Sequence, residues 1–254
     1  MSNKDWWKPE NLKESEKKIL STKNIDSIDT RNDFGSYKIM RLKDDIGASQ
    51  LNEHNDIDPI YRVMIFKKVL KRKSLLSILD IGCGAGFTTN ELKNAYQNAN
   101  VTGMDISEDA IAYAQKKFNK CKFICDAIDP TDNNQVLDFE LITAFEFYPF
   151  TRTDSFKDHA DYITHLTKHL RKGGKLAIVQ LWDNPLSIST NYNAIKDHFK
   201  NLNFETYTIP IKKIGIYIKS RLLAVALSEL IMLIQILIKS RKIGKKKIII
   251  ITKK

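Results

Sequence analysis

The segment SILDIGCGAGFTTN, residues 77–90, places three glycines two positions apart directly after an apolar run. Because glycine has no Cβ, a turn that contains Gly82, Gly84 and Gly86 allows the backbone to approach a ligand closely. A glycine-rich turn that follows a strand is common in nucleotide-binding α/β proteins. Asp80 precedes the turn by two positions and adds a carboxylate beside it. The segment therefore predicts a binding site for a nucleotide-like molecule.

Two phosphate-binding patterns fit this turn poorly. A P-loop has the pattern Gly-x4-Gly-Lys-Ser/Thr, so a second glycine must lie five positions after the first. Five positions beyond Gly82 and Gly84 the sequence has Phe87 and Thr89 instead. A dinucleotide-binding fingerprint needs its third glycine at position 87, which is the same phenylalanine. The first pattern is excluded and the second is weakened, so an oxidoreductase that binds NAD(H) is the less favoured alternative.

Two further acids follow apolar runs later in the chain. Asp105 ends the run VTGMD, and Asp126 directly follows the run KFIC. A carboxylate at the end of the second strand can accept hydrogen bonds from ribose hydroxyls. NAD-dependent enzymes carry an acid there as well, so Asp105 predicts a bound nucleoside without deciding which one.

Several motifs together resemble one family. LDIGCGAG resembles the first motif of class I (Rossmann-like) S-adenosylmethionine-dependent methyltransferases, and MDIS at 104–107 resembles the second. ICDAID at 124–129 resembles the segment that carries the family's adenine-binding acid, and HLRKGGKLAIV at 169–179 resembles its helix–Gly-Gly–strand step. The resemblance covers about residues 60–211 and the final strand. It implies an enzyme that uses S-adenosylmethionine as its cofactor.

The resemblance also implies a role for each matching residue. The backbone of the glycine turn lies against the methionine part of the cofactor, and Asp80 lies near its ammonium group. Asp105 binds the ribose hydroxyls, and Asp126 accepts a hydrogen bond from the adenine amino group. The predicted cofactor-binding residues are Asp80, Gly82, Cys83, Gly84, Gly86, Asp105, Ile106, Asp126, Ala127 and Phe145.

Methyl transfer is an in-line displacement, so the enzyme aligns donor and acceptor and supplies a base where the acceptor is a hydroxyl. The predicted catalytic residues are Glu146, His159 and Asp183, and the predicted acceptor pocket contains Tyr148, Phe150 and Trp182. His165 is a further candidate base. The alternative for His159 and His165 is an ordinary solvated position on a helix, and the alternative for the aromatic residues is core packing. The Asp-Asn pair at 183–184 resembles the pair that helps to hold magnesium in metal-dependent catechol-type methyltransferases, but it lies later after the double glycine than in that subfamily. A turn explains Asp-Asn-Pro as well, so no metal site is predicted.

The acceptor is predicted to be a small metabolite, lipid or glycan precursor that is methylated at oxygen or nitrogen. Nucleic acid is not expected, because EFYPF at 146–150 departs from the Asn/Asp-Pro-Pro-aromatic motif of amino-methylating DNA and RNA enzymes. A protein methyltransferase, and a degenerate module that binds the cofactor without turnover at a membrane or in an assembly, stay open as alternatives.

The elements that position these residues alternate along the chain. Strands are predicted at 77–81, 101–105, 122–125, 141–145, 176–181, 205–211 and 248–251, and helices at 58–73, 88–96, 108–118, 158–171 and 191–202. Apolar strands separated by helices predict a parallel sheet that is covered on both faces. With the antiparallel last strand that the resemblance implies, the predicted fold is α/β, a doubly wound, mostly parallel sheet of seven strands. Ligands of such sheets bind at the carboxyl ends of the strands.

Charge and composition divide the chain. The formal net charge is +11, and from position 212 to the end twelve basic residues accompany a single acid, Glu229. The formal net charge of residues 1–211 is therefore zero, which does not favour binding of this part of the chain to nucleic acid. We predict an N-terminal cap at 1–57 over the acceptor site and a methyltransferase domain at 58–254, with a helical insertion at 212–245 between the last two strands.

The insertion contains the run LLAVALSELIMLIQILI, residues 222–238, flanked by basic residues. With seventeen residues and an internal glutamate, it is shorter than the roughly 20 residues of a membrane-spanning helix. Two interpretations of residues 221–240 stay open: a helix in an anionic membrane surface, or a helix packed on the chain's own core or on a second subunit. The three cysteines form no plausible disulfide framework and the N-terminus lacks an apolar signal region, so we expect a cytoplasmic protein, with the inner membrane surface as the alternative place.

Overall fold

The computed structural model describes residues 55–72, 74–131, 138–180, 186–209, 217–218, 220–238 and 246–254. The strands in these ranges are β1 (Asn55–Asp56), β2 (Ser77–Ile81), β3 (Asn100–Asp105), β4 (Lys122–Cys125), β5 (Phe139–Phe145), β6 (Leu170–Gln180), β7 (Leu202–Ile209), β8 (Tyr217–Ile218) and β9 (Lys246–Lys253). The helices in these ranges are α1 (Ile57–Leu70), α2 (Phe87–Ala95), α3 (Glu108–Lys117), α4 (Phe156–Lys168), α5 (Tyr192–His198) and α6 (Arg221–Ile238).

Seven of these strands form one sheet in the order β4-β3-β2-β5-β6-β9-β7. Neighbouring strands from β4 to β6 are parallel, whereas β9 runs antiparallel to both β6 and β7. The predicted fold class is therefore confirmed. The chain leaves β2 toward β3 on one side and later adds β5 on the other, so the strand order switches direction beside β2. Open α/β sheets bind ligands at such a switch, outside the carboxyl ends of the strands.

Alternate side chains of the strands point to opposite faces of the sheet. On β5, Leu141 and Phe145 belong to the apolar core that α1, α2 and α6 cover, while Ile142 and Ala144 belong to the core beneath α4 and α5. Burial on both faces explains why the central strands are apolar at nearly every position. Their carboxyl ends are thereby held rigidly at one edge.

The observed bounds of one strand and two helices differ most from the predicted ones. The helix predicted at 158–171 ends at Lys168, and the strand predicted at 176–181 already begins at Leu170. Phe139 pairs with Leu170 across a register shift in the β5–β6 ladder, which Gly173 accommodates with a φ of +71°. Pairing with β5 therefore overrides the helical pattern. The helix predicted at 191–202 is likewise shortened to Tyr192–His198, because β7 begins at Leu202.

The apolar run of the predicted insertion forms α6, and the short strand β8 before it pairs with β1. Most of the predicted cap at 1–57, and residues 181–185 after β6, lie outside the described residues. In the part of the chain that the structure describes, no helix is long and apolar enough to cross a bilayer.

Candidate active site

The glycine turn between β2 and α2 has a backbone that other residues adopt only with strain. Gly82, Gly84 and Gly86 have φ values of 66°, 52° and 79°, in the left-handed region that favours glycine. A Cβ on Gly86 would lie 2.7 Å from the ring of Phe123, and a Cβ on Gly82 would lie 2.7 Å from Cδ2 of Phe147. Gly82 and Gly86 are thus required both by φ and by the space around the turn, and Gly84 by φ.

Asp105, at the end of β3, holds this turn in place. Its Oδ2 accepts a hydrogen bond from the amide of Gly84 at 2.7 Å, and its Oδ1 accepts one from the amide of Ser107 at 3.0 Å. The Ser107 hydroxyl in turn caps α3 by accepting from the amide of Ala110 at 3.3 Å. Because Asp105 is only 6% exposed, these charge-assisted bonds form away from bulk water, where they are strong. The carboxylate is fixed against the turn at the carboxyl edge of the sheet.

Asp80 lies beneath the turn and is 1% exposed. Its carboxylate accepts hydrogen bonds from the hydroxyl of Thr89 on α2 at 2.7 Å and from that of Thr143 on β5 at 2.8 Å. Burial raises the pKa of Asp80 to about 6, although both hydroxyls oppose the shift. Asp80 therefore connects β2 to the two elements beside it and puts a titratable charge under the glycine turn.

Asp126 and its neighbours continue the same edge beyond β4. The amide of Asp126 donates to the carbonyl of Asp105 at 3.1 Å, and its Oδ1 accepts from the amide of Ala127 at 2.8 Å. The thiol of Cys125 contacts the carbonyl of Ile106 at 3.7 Å. The residues predicted for the ribose and the adenine are thus adjacent across two neighbouring strands, and Cys83 joins them through a bond from its amide to the Met104 carbonyl at 3.1 Å.

The segment after β5 closes the other side of the turn. Glu146 has a φ of 52°, a strained value for a residue with a side chain, and its amide donates to the carbonyl of Val179 at 2.9 Å. Such strain concentrates at functional sites. The ring of Phe147 lies against Gly82 and packs on Tyr162, with ring centroids 5.8 Å apart. The position of Phe147 at the turn was not predicted from the sequence, where the aromatic cluster AFEFYPF at the end of β5 is its signal.

Three predicted site residues lie in the apolar core. His159 is fully buried beside Phe150, its Nε2 lies 3.3 Å from the Pro149 carbonyl, and burial lowers its pKa. Phe150 is also fully buried. Phe145 is 8% exposed and packs edge-on against Phe66 of α1, with ring centroids 5.7 Å apart. The structure therefore does not bring these three side chains to the turn.

The remaining predicted residues divide into two groups. Tyr148 follows Phe147 in the sequence and is 7% exposed, so it lies largely under the surface. Trp182 and Asp183 lie outside the described residues. Across the described ranges, no three His, Cys, Asp or Glu side chains are grouped as metal ligands would be.

A family model described as "Methyltransferase domain" matches residues 72–230. The malonyl-[acyl-carrier protein] O-methyltransferase of Acetivibrio thermocellus is 33% identical over 111 residues, which are 42% of this chain and 36% of that protein. The trans-aconitate 2-methyltransferase of Escherichia coli is 32% identical over 108 residues, which are 42% of this chain and 39% of that protein. The chain thus spans less than half the length of these relatives.

Among solved structures, the plantazolicin methyltransferase BpumL in complex with a pentazolic desmethylPZN analog and SAH has a TM-score of 0.51 to this chain. The match covers 95% of this chain and 99% of that one at 19% identity. At this identity the likeness concerns the fold, and it extends over nearly the whole of both chains.

Proposed function

Because the chain belongs to the class I S-adenosylmethionine-dependent methyltransferases, the family whose domain model matches residues 72–230, we propose that it methylates a small molecule at oxygen or nitrogen. The cofactor of this family is S-adenosylmethionine. The observation that supports the proposal most is the junction of Asp105 with the glycine turn, where a buried carboxylate and a left-handed backbone meet at the switch point of the sheet.

The residues at this junction fit the cofactor part by part. The exposed backbone at Gly82 suits the methionine part, and the negative charge of Asp80 below it attracts an ammonium group. A carboxylate has about four acceptor positions, which suits Asp105 to hold the turn and also to meet a ribose. Asp126 with Ala127 is half-buried one strand further on, where an adenine attached to that ribose would lie.

The cofactor supplies a methyl group already activated on a sulfonium. The chain's part is then to orient the acceptor, to exclude water and to take up the proton that the acceptor loses. We assign the proton to the carboxylate of Glu146, which β5 presents beside the turn. His159 has no place in this assignment, because it is fully buried with its Nε2 against the Pro149 carbonyl, where no acceptor reaches it. The proposal also includes Asp183 as a second candidate base. It includes Tyr148 and Trp182 as walls of the acceptor pocket.

The relatives support a small acceptor. Their names specify malonyl-[acyl-carrier protein] O-methylation and trans-aconitate 2-methylation. The identity to each is near one third and is confined to less than half of their length, so it supports the reaction class and leaves the acceptor to experiment.

The test combines binding with turnover. Titration calorimetry of the full chain should show binding of S-adenosylmethionine and of its demethylated product, and no binding of NADH. Incubation with cofactor carrying a labelled methyl group and fractionated cell extract should then label compounds of low mass. Label on an amino-acid side chain of a protein would indicate a protein methyltransferase. Binding without any label would indicate a degenerate module, and preferential binding of NADH would overturn the proposal.

A further inference from the structure

One side of α6 exposes large apolar side chains. Among the described residues seven large hydrophobic side chains are exposed, and five of them lie on this helix: Leu222 (85%), Leu223 (62%), Leu230 (52%), Leu233 (51%) and Ile234 (42%). At 3.6 residues per turn they fall on one side of the helix. We call these five residues the α6 face. An apolar surface concentrated in this way marks a site of interaction.

The α6 face points outward because the opposite side of the helix is already packed. Ala224, Ser228 and Met232 are buried toward α1, and the Ser228 hydroxyl is satisfied by the Ala224 carbonyl at 2.8 Å. At the start of the helix, both guanidinium nitrogens of Arg221 bind the carboxylate of Glu91 on α2 at 2.7 Å. A rotation that hid the leucines would expose this core and break a bidentate ion pair.

A groove of about 790 Å³ is lined by residues of α1, α2 and α6 and by Lys71 and Arg72 after α1. Its lining has apolar side chains, two carboxylates (Glu91 and Glu229) and five cationic side chains: Lys67, Lys68, Lys71, Arg72 and Arg221. Arg221 is paired with Glu91, which leaves the cations in excess. We call this surface the basic groove. In the sequence that follows α6, residues 239–247 add six basic residues and no acid.

We propose that the α6 face and the basic groove bind the surface of a bilayer that contains anionic phospholipids. A helix with one apolar side and basic surroundings lies in the interface, with its apolar side at the boundary between headgroups and acyl chains. Each Lys or Arg near such a surface adds about 1 kcal/mol of attraction. The groove is well suited to anionic lipid, because its cationic side chains can meet phosphate headgroups and its apolar side chains can contact acyl carbon.

A second copy of the chain fits the same surface less well. In a two-fold dimer the same patch meets itself, so two basic grooves, each with more cations than carboxylates, would face each other. Like charges juxtaposed in an interface are unfavourable. An anionic lipid surface instead brings negative charge to the lysines and apolar volume to the leucines.

The test is flotation of the full chain with vesicles of phosphatidylglycerol and phosphatidylcholine, and with phosphatidylcholine alone. We expect binding to the anionic vesicles that weakens with added salt, and little binding to the neutral ones. The triple variant L223Q/L230Q/L233Q should reduce vesicle affinity about tenfold or more, because interfacial binding scales with buried apolar area. L76Q is the matched control, since Leu76 is 61% exposed outside the α6 face.

Charge is tested separately. The double variant K68Q/K71Q should weaken binding about fivefold for each lysine removed, whereas K116Q/K120Q, at exposed lysines on and just after α3, should leave it unchanged. Calorimetry with S-adenosylmethionine verifies that each variant keeps its fold. Three outcomes would overturn the proposal: no flotation at low salt, a dimer in light scattering that the leucine variant dissociates, or marked destabilisation by the leucine variant, which would mean that another part of the chain covers the face.

Discussion

The amide of Gly84 donates a hydrogen bond to Oδ2 of Asp105 over 2.7 Å, so the turn after β2 is held by the acid that ends β3. The second oxygen of the same carboxylate accepts from the amide of Ser107 and fixes the beginning of α3. The two sequence motifs that predicted the cofactor site are therefore one structural unit. A change in the acid should disturb the turn as well as the ribose contact.

Replacement of Asp105 by Asn tests this unit. The amide NH₂ group would face a backbone N–H, and the charge of the acceptor would be lost, so we expect the free energy of unfolding to fall by about 1–3 kcal/mol. Affinity for S-adenosylmethionine in calorimetry should fall about tenfold or more, since the loss of a contact worth about 1.4 kcal/mol changes the dissociation constant tenfold. D161N is the control, because Asp161 is part of an exposed pair with Lys157; an equal loss in that variant would refute the assignment.

A second prediction separates the two reasons for glycine at position 86. Gly86 and Gly173 both have positive φ, but a Cβ on Gly86 would collide with Phe123 and Ala114, whereas one on Gly173 would meet nothing within 4 Å. We expect G173A to cost about 1–2 kcal/mol of unfolding free energy from φ alone. G86A should cost about 1–3 kcal/mol more through overpacking. Urea unfolding measures both, and equal losses would show that the crowding around Gly86 is unimportant.

The positions of Asp80, Asp105 and Asp126 could be predicted because parallel strands bring their carboxyl ends to one edge. Each acid ends or follows an apolar run, so its place in the sheet follows from its place in the sequence. The strand order around β2 was not predicted; in the structure Ile81 pairs with Met104 on one side and with Ala144 on the other.

Contacts between elements could not be predicted in the same way. Phe147 reaches Gly82 because of the register between β2 and β5, which no local pattern encodes. His159 has the polarity of a surface residue, but α4 turns it onto Phe150 and the Pro149 carbonyl. The early start of β6 likewise depends on pairing with Phe139. In each case tertiary packing overrides local preference.

The pKa of Asp80 predicts a pH dependence of stability. Burial raises it from 3.8 to about 6, so the contribution of this group is fully present below about pH 4 and is lost as the pH rises through 6. At pH 7 the loss should be on the order of 3 kcal/mol relative to acid conditions. D80N should remove the dependence between pH 4 and 7 in chemical unfolding. Saturating S-adenosylmethionine should reduce it in the unaltered protein, because an ammonium beside Asp80 lowers its pKa; no reduction would argue against that contact.

The role proposed for Glu146 is tested by E146Q. The substitution keeps the shape of the side chain but removes the base, so we expect kcat to fall about 10²–10⁴-fold for a hydroxyl or ammonium acceptor. The dissociation constant for S-adenosylmethionine should change by less than about twofold, because Glu146 is assigned to the acceptor's proton and not to the cofactor. Steady-state assays with an acceptor found by methyl labelling provide the measurement. Unchanged kcat would assign proton uptake to another residue or to an acceptor that needs no base.

The contact between Gly82 and Phe147 gives a final prediction, because a Cβ at position 82 would lie 2.7 Å from the Phe147 ring. G82A should lose stability both from its positive φ, about 1–2 kcal/mol, and from this collision. In G82A/F147A the collision is absent, so the double variant should be more stable than the two single losses predict, by about 0.5–3 kcal/mol of coupling. F204A provides the control partner, since Phe204 is buried, packs on Tyr192 and is not among the atoms nearest to that Cβ. Additive losses for Gly82 and Phe147 would mean that the ring can move aside without cost and that the turn owes its glycine to φ alone.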